Sequence, residues 1–289
     1  MTRHVLMCEP VHFRIAYEIN PWMRRSNQVD GERALAQWRR LRAALVELGV
    51  EVELVEQAPD VPDMTFTANA GVALGRRYFP ANFRFPERQP EEARFSIWFV
   101  LRGYTVEAIH RAHYWEGEGD VLPQGATVFA GHRFRTEEAA LDHLDELLRT
   151  EVVRLALIDP RFYHLDTAFC PLPGGAALYV PTAFDEPSRR LLAELVPDLV
   201  AVPEAEAARF ACNALVVDAP GVGASAGGGE TTVVLNSGCP QTEAALRERG
   251  LRPLAVPTDE FIKAGGSVKC LVLMLDAFTE VARAAPIWR

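Results

Sequence analysis

The chain has 289 residues, 49% of them hydrophobic and 24% charged, with a formal net charge of -9. This is the composition of a globular protein able to bury a large core. The acidic balance argues against nucleic acid, whose phosphates need a basic face, and offers no attraction to an anionic membrane surface. A cationic small molecule would be drawn in, though weakly. The five cysteines, Cys8, Cys170, Cys212, Cys239 and Cys270, are odd in number and include no CxxC pair. That argues against a disulfide framework or a cysteine zinc site and for a reducing compartment. The opening MTRHVLMCEPVHFR has no long apolar region and no stretch reaches the length of a membrane span, so a cytoplasmic protein is expected.

In chain order, the first predicted helix runs from Gly31 to Leu48, after a segment around Asn20. FTANAGVALGRRYFP, from Phe66, reads as a polar cluster followed by a hairpin. WEGEGDVLPQGATVFAG, from Trp115, repeats that layout. A helix from Thr136 to Thr150 follows, opened by a Thr N-cap, with Ala139, Leu141, Leu144, Leu147 and Leu148 along one face. YHLDTAFCPLPGGAALYVP, from Tyr163, is the third copy and precedes a helix from Pro187 to Leu195. FACNALVVDAPG and ETTVVLNSG form the fourth hairpin, before a helix from Thr242 to Arg249. The SAGGG between those strands, Ser225 to Gly229, lacks the Lys-Ser/Thr of a phosphate loop and reads as a hairpin tip.

The polar clusters sit at Asn20, Asn69, Glu116, His164, Asn213 and Cys270, close to every 50 residues, with a longer last step. A cluster that returns at a fixed interval at the edge of a hairpin is what a closed ring of strand modules produces. The expectation is one catalytic domain over residues 1–289, with the clusters facing a central pocket.

Cys270 lies in AGGSVKCLVLML. A buried structural thiol is the default for a single cysteine. Its place in the last polar cluster, and a Gly265-Gly266-Ser267 turn that exposes backbone N–H groups, mark it as the candidate nucleophile. Lys269 adjoins it. His164 and Asp166, in YHLDT, would share one face of a strand, so the carboxylate could hold a cation while the imidazole moves protons. Glu116, in EGEGD, occupies the repeat position and is favoured over Glu118 as the residue orienting His164. His110 and His113 have no nearby third ligand, and EGEGD lacks the EF-hand ligand order, so no metal is expected. A cysteine, a histidine and carboxylates in one pocket suggest nucleophilic catalysis on a cationic substrate.

Six segments carry a resemblance to the guanidino-group-modifying enzymes, the superfamily of arginine deiminase, dimethylarginine dimethylaminohydrolase and glycine amidinotransferase. They are YEINPWM (17–23), FTANAG (66–71), ANFRFPERQ (81–89), EGEGD (116–120), HLDT (164–167) and GGSVKC (265–270), spread over nearly the whole chain in the right order. The resemblance implies a fivefold pseudosymmetric α/β propeller of ββαβ modules around a central active site. It implies Cys270 as nucleophile, His164 as general acid/base, Glu116 as its partner and Asp166 as a grip on the guanidinium. Arg88 and Arg135 would hold the substrate carboxylate, with Arg84, Arg94 and Arg133 as close rivals, and Asp63 is a further contact. The deiminases carry an aspartate where this chain has Asn69. FTANAG and the Asn20 segment look like the arginine dihydrolases. The implied reaction is hydrolysis of the guanidino group of free arginine through an S-alkylthiouronium adduct, without cofactor, to ornithine, two ammonia and carbon dioxide. Hydrolysis of methylated arginine, arginine deimination, and non-catalytic binding of arginine are the alternatives. The small guanidino substrate is the expected partner, and the sequence is compatible with a homo-oligomer.

Overall fold

A computed structural model describes residues 3–107, 112–218, 230–279 and 281. Its strands form five three-stranded sheets. The first is built from both ends of the chain: β1 (His4–Cys8) pairs in parallel with β2 (Glu51–Val55) and antiparallel with the last strand, β15 (Leu273–Met274). The second holds β3 (Gly71–Leu74), β4 (Arg77–Pro80) and β5 (Thr105–Val106). Then come β6 (Val121–Gln124), β7 (Thr127–His132) and β8 (Val152–Ala156); β9 (Phe169–Pro171), β10 (Ala176–Tyr179) and β11 (Asp198–Ala201); and β12 (Leu215–Val217), β13 (Thr232–Asn236) and β14 (Arg252–Val256).

All five sheets follow one rule. The first two strands pair antiparallel, a helix crosses over, and the third strand returns parallel to the second. The crossover helices are Gly31–Glu47, Pro90–Leu101, Glu138–Leu148, Glu186–Leu195 and Pro240–Glu248. A parallel return needs such a crossover, and the helix buries one face on its sheet. Trp38, Leu41 and Leu45 are the buried face of the first, with Asp30 capping its start by accepting from the Arg33 N–H. Because β15 completes the sheet that β1 opens, the modules close on themselves. This is the fivefold α/β propeller.

The structure corrects several expectations. Six polar clusters serve five modules, because Asn20 lies after β1 rather than before a first strand; Cys270, ahead of β15, holds that position in the split module. The helix expected over 136–150 is Glu138–Leu148, and Thr136 does not cap it. The Thr136 hydroxyl instead donates to Asp120 Oδ2 at 2.7 Å. Ala140, not Ala139, is buried there, and Leu147 only partly so. His164 and Asp166 are not on a strand. His164 precedes a single helical turn, Leu165–Ala168, closed by the Thr167 N–H and hydroxyl donating to the His164 carbonyl at 3.2 and 2.7 Å. The helix Pro90–Leu101 was not among those expected, although proline at its start, two glutamates in its first turn, and Phe95, Trp98 and Phe99 on its buried face announce it. The SAGGG tip and His110 lie outside the described residues.

Candidate active site

Two to five positions ahead of the first strand of each module stands Cys270, Asn69, Glu116, His164 or Asn213. All five are buried and bonded to one another or to a shared neighbour. His164 Nε2 meets Glu116 Oε2 at 2.9 Å. On its other edge, Asn69 Nδ2 approaches His164 Nδ1 at 3.4 Å. Asn69 Oδ1 accepts from Arg88 Nη1 at 2.8 Å, which fixes the amide with its NH2 toward the imidazole. These partners place the His164 proton on Nε2, facing Glu116, with Nδ1 accepting from the Asn69 amide.

Glu116 is held between the Arg135 guanidinium and the His164 imidazole. Burial pushes its pKa up, but Arg135, with Nη1 at 3.1 Å from Oε2, and His164 outweigh that and hold it well below the usual carboxylate range. Arg135 is sandwiched between the Phe85 and Tyr163 rings, 4.7 and 4.5 Å from their centroids, and also donates to the Ile19 carbonyl at 3.1 Å. Arg88 gives Nε and Nη2 to both Glu91 oxygens at 2.9 and 2.8 Å, and Nη2 also reaches the Asp63 carbonyl at 3.3 Å. With Nη1 on Asn69, Arg88 has one N–H left, whereas Arg135 keeps three.

The thiol faces a different carboxylate. Cys270 Sγ lies 3.2 Å from Asp166 Oδ2, and Asn213 Nδ2 donates to it at 3.0 Å. Burial raises the Cys270 pKa well above its ordinary value, and Asp166 adds to the rise. Asp166 is itself pushed up to about 6 by burial, against the pull of Lys269. Its second oxygen, Oδ1, is buried with no hydrogen-bond partner. Lys269 turns away from the sulfur and bonds Glu118 at 2.9 Å. Glu118 also accepts from the Met274 N–H at 3.0 Å, so this acid braces the Cys270 turn while Glu116 serves His164.

Asn69, Cys270, Asp63, Arg88, Arg135, Asn20 and Tyr163 line a cavity of about 250 Å³ that includes space open to solvent. His164, Glu116 and Asp166 stand behind that lining. Asn20 pins the wall of the cavity. Its Oδ1 accepts from the Trp22 and Met23 N–H groups, and its Nδ2 donates to Tyr163 Oη and the Ala264 carbonyl. The Asp63 carboxyl is buried, which raises its pKa against Arg88. Gly265 (φ +85) admits no side chain: a Cβ there would meet Tyr163 Oη at 2.7 Å and Asn20 Oδ1 at 2.9 Å. Asn213 is the residue that a reading for acids and bases passes over, and only its repeat position marks it. All five cysteines are free and buried, so burial does not set Cys270 apart; its carboxylate and amide neighbours and the cavity do. Among the described residues no helix is long and apolar enough to cross a membrane, and no three His, Cys, Asp or Glu side chains cluster as a metal site. His113 sits beside Glu137 at 3.3 Å.

Five modules closing into a ring, with a thiol and an imidazole bonded to a carboxylate among their inner residues, define the class: the guanidino-group-modifying enzymes. The chain belongs to the family described as N,N dimethylarginine dimethylhydrolase, eukaryotic, whose model matches residues 10–276. It is 40% identical over 274 residues to the bifunctional arginine dihydrolase/ornithine cyclodeaminase ArgZ of Synechocystis, a match covering 93% of this chain and 37% of that protein. The chain thus spans little more than a third of that relative. It is 39% identical to the N(G),N(G)-dimethylarginine dimethylaminohydrolase of Mycobacterium tuberculosis, over 94% of this chain and 85% of the relative. Crystal structures of the N-terminal domain of the cyanobacterial ArgZ superpose with a TM-score of 0.87 at 39% identity, covering 94% of this chain. One, a variant bound to substrate, is covered over 98% of its length; another, a variant covalently bound to a reaction intermediate, over 97%.

Proposed function

We propose that this chain is a cysteine-dependent arginine dihydrolase. The observation that carries the reading is Asp166: a buried carboxylate with one oxygen on the Cys270 thiol and the other unpartnered. An orphaned carboxylate oxygen beside a nucleophile is a seat for a cationic N–H donor, and a guanidinium bound there brings its carbon to the sulfur. The cation also reverses the field that keeps the thiol protonated.

Cys270 then attacks the guanidinium carbon. The thiol proton passes to His164 Nδ1, which hands it to the departing nitrogen, and ammonia leaves an S-alkylthiouronium adduct. Water, giving its proton to His164 Nδ1, adds to that carbon and expels the sulfur, leaving the ureido product. A second attack expels the second ammonia, and water releases a carbamate that loses carbon dioxide. Arginine and two waters give ornithine, two ammonia and carbon dioxide. No metal or organic cofactor enters this sequence. Arg135, with the larger number of free N–H groups, suits the substrate carboxylate; Arg88 fixes the Asn69 amide. Asp63 and Asn20 shape the wall. Asn69 supports the second round, since an uncharged amide accepts the neutral ureido group as well as the cation, which an aspartate would favour.

A second reading, hydrolysis of methylated arginine to citrulline and dimethylamine, is supported by the matching family and by the mycobacterial relative at 39% identity. Purified protein supplied with arginine and with dimethylarginine, with ornithine, citrulline, ammonia and dimethylamine quantified separately, decides between them. Ornithine with two equivalents of ammonia is expected; citrulline as the sole product from arginine would end the dihydrolase reading.

A further inference from the structure

We infer that Asn213 is a catalytic residue that presents a fixed N–H donor to the Cys270 sulfur and so holds the nucleophile as thiolate during attack. The inference rests on Cys270 being the nucleophile, and it adds a group outside the Cys–His–Glu set.

The geometry is unusually constrained for an asparagine. Its Oδ1 accepts from the Cys270 N–H at 3.1 Å, so the opposite end of the amide must be the NH2. That NH2 makes two bonds, to Cys270 Sγ at 3.0 Å and to the Asp166 carbonyl at 3.1 Å. Its backbone carbonyl accepts from the Lys269 N–H at 3.2 Å. One side chain therefore clamps the nucleophile's main chain, aims a hydrogen at its sulfur and ties down the turn that bears Asp166. Asn213 is fully buried, and its module offers this residue at the place where the other modules offer Asn69, Glu116, His164 and Cys270.

The Ser267 backbone also bonds to the sulfur in the sense that favours a thiolate, and the side chains around Sγ leave Asn213 to add to it. Asp166 opposes a thiolate from 3.2 Å. Lys269 is spent on Glu118, Tyr163 Oη donates to the Gly265 carbonyl at 2.6 Å, and His164 is committed to Glu116. Among these, the Asn213 amide is the side-chain donor that points at Sγ. An N–H aimed at a thiolate in a dry site stabilises the charge at the point where it forms, and loses that benefit when a neutral thiol takes its place.

The test reads ionisation apart from turnover. Iodoacetamide labelling of Cys270, followed by peptide mass spectrometry across a pH series, is measured in wild type, N213D and N213A, alongside thermal unfolding. N213D is nearly isosteric and replaces the donor by a carboxylate. The expected result is a labelling midpoint moved up by one pH unit or more, hence at least tenfold slower labelling near neutrality, with an unchanged rate at high pH. N213A moves it in the same direction. The kcat/KM profile for arginine shifts with the labelling midpoint in both variants. Midpoints equal to wild type in a folded variant overturn the inference and leave Asn213 a structural clamp. Should neither variant fold, wild-type protein carrying 15N-asparagine serves: the Asn213 side-chain NH2 resonance must move with the Cys270 titration, and a resonance indifferent to it overturns the inference equally. A wild-type enzyme inactive on arginine defeats the proposed function but leaves the labelling comparison intact.

Discussion

Gly119→Ala isolates the contact between the acidic turn and the imidazole. Gly119 does not have a left-handed φ, so its backbone accepts alanine without strain. The added methyl would stand 2.2 Å from Asn69 Nδ2 and 3.3 Å from His164 Cγ. Ordinary contact starts near 3.5 Å, so Asn69 or the turn must retreat by roughly 1 Å. Asn69 cannot move freely, because Arg88 holds its oxygen at 2.8 Å and Glu91 holds Arg88 through both oxygens. The strain costs about 1–3 kcal/mol of stability. On the proposed mechanism, a displacement of that size at the Nδ1 edge of His164 lowers kcat by about 100-fold. Gly31→Ala is the control: its Cβ meets nothing within 4 Å at the start of a helix, so activity is unchanged and stability rises by about 0.4–1 kcal/mol. Ornithine and citrulline release, urea unfolding and the Cys270 labelling rate are measured in parallel. A G119A enzyme whose kcat stays within threefold of wild type would show that the Asn69–His164 edge does not govern proton transfer.

Glu116→Gln removes the charge that His164 Nε2 addresses at 2.9 Å and leaves Arg135 buried without its carboxylate. A loss of about 10²–10⁴ in kcat is expected for a disabled acid/base, with about 3 kcal/mol of stability lost at the unpaired arginine; steady-state kinetics and urea unfolding check both, and an unchanged kcat contradicts the role of Glu116. Asp166 has its pKa raised to about 6 from an unfolded value of 3.8, so the folded protein keeps a proton that the unfolded chain has released in between. Its contribution to stability therefore falls as pH rises from about 4 to about 6. The stability of Asp166→Asn relative to wild type should climb over that window by up to about 3 kcal/mol. Urea unfolding at pH 4.5 and 7 reads the difference, and a difference that does not change with pH rejects the assignment.

Sequence made the architecture visible because the repeat lies in hairpin and helix periodicity, which any module must have to bury its own face. A closed ring was expected, but not the strands that close it: nothing local in Leu273–Met274 says that it pairs with Val5 and Leu6. That pairing turns six apparent clusters into five and removes Asn20 from the series. The His164–Asp166 spacing misled for a local reason. Asp120 Oδ1 accepts from the Leu165 N–H at 3.0 Å, and Thr167 closes on the His164 carbonyl, so the segment turns where an alternating pattern predicts extension. As a result His164 faces Glu116 while Asp166 faces Cys270. The repeat position of Glu116 pointed to its pairing with His164, 48 positions away, and the structure places the two side chains in contact; the approach of Asp166 to Cys270, 104 positions apart, had no signal in the sequence.

The carboxylates show how one buried site assigns different work to the same chemical group. Glu116 touches Arg135 and His164, so it stays charged and can steady an imidazolium at any working pH. Asp120 accepts from the neutral Thr136 hydroxyl and Leu165 N–H and is pushed up to about 6 by burial. Asp166 has no cation bonded to it; Lys269, next to Cys270 in sequence, is drawn off by Glu118. Had Lys269 reached Asp166 instead, the carboxylate would be neutralised and a guanidinium would gain little by binding. Leaving Asp166 short of a cation keeps the empty enzyme's thiol protonated and weakly nucleophilic. On the proposed reading, the missing charge arrives with the substrate, so the thiolate forms against the carbon that it is to attack.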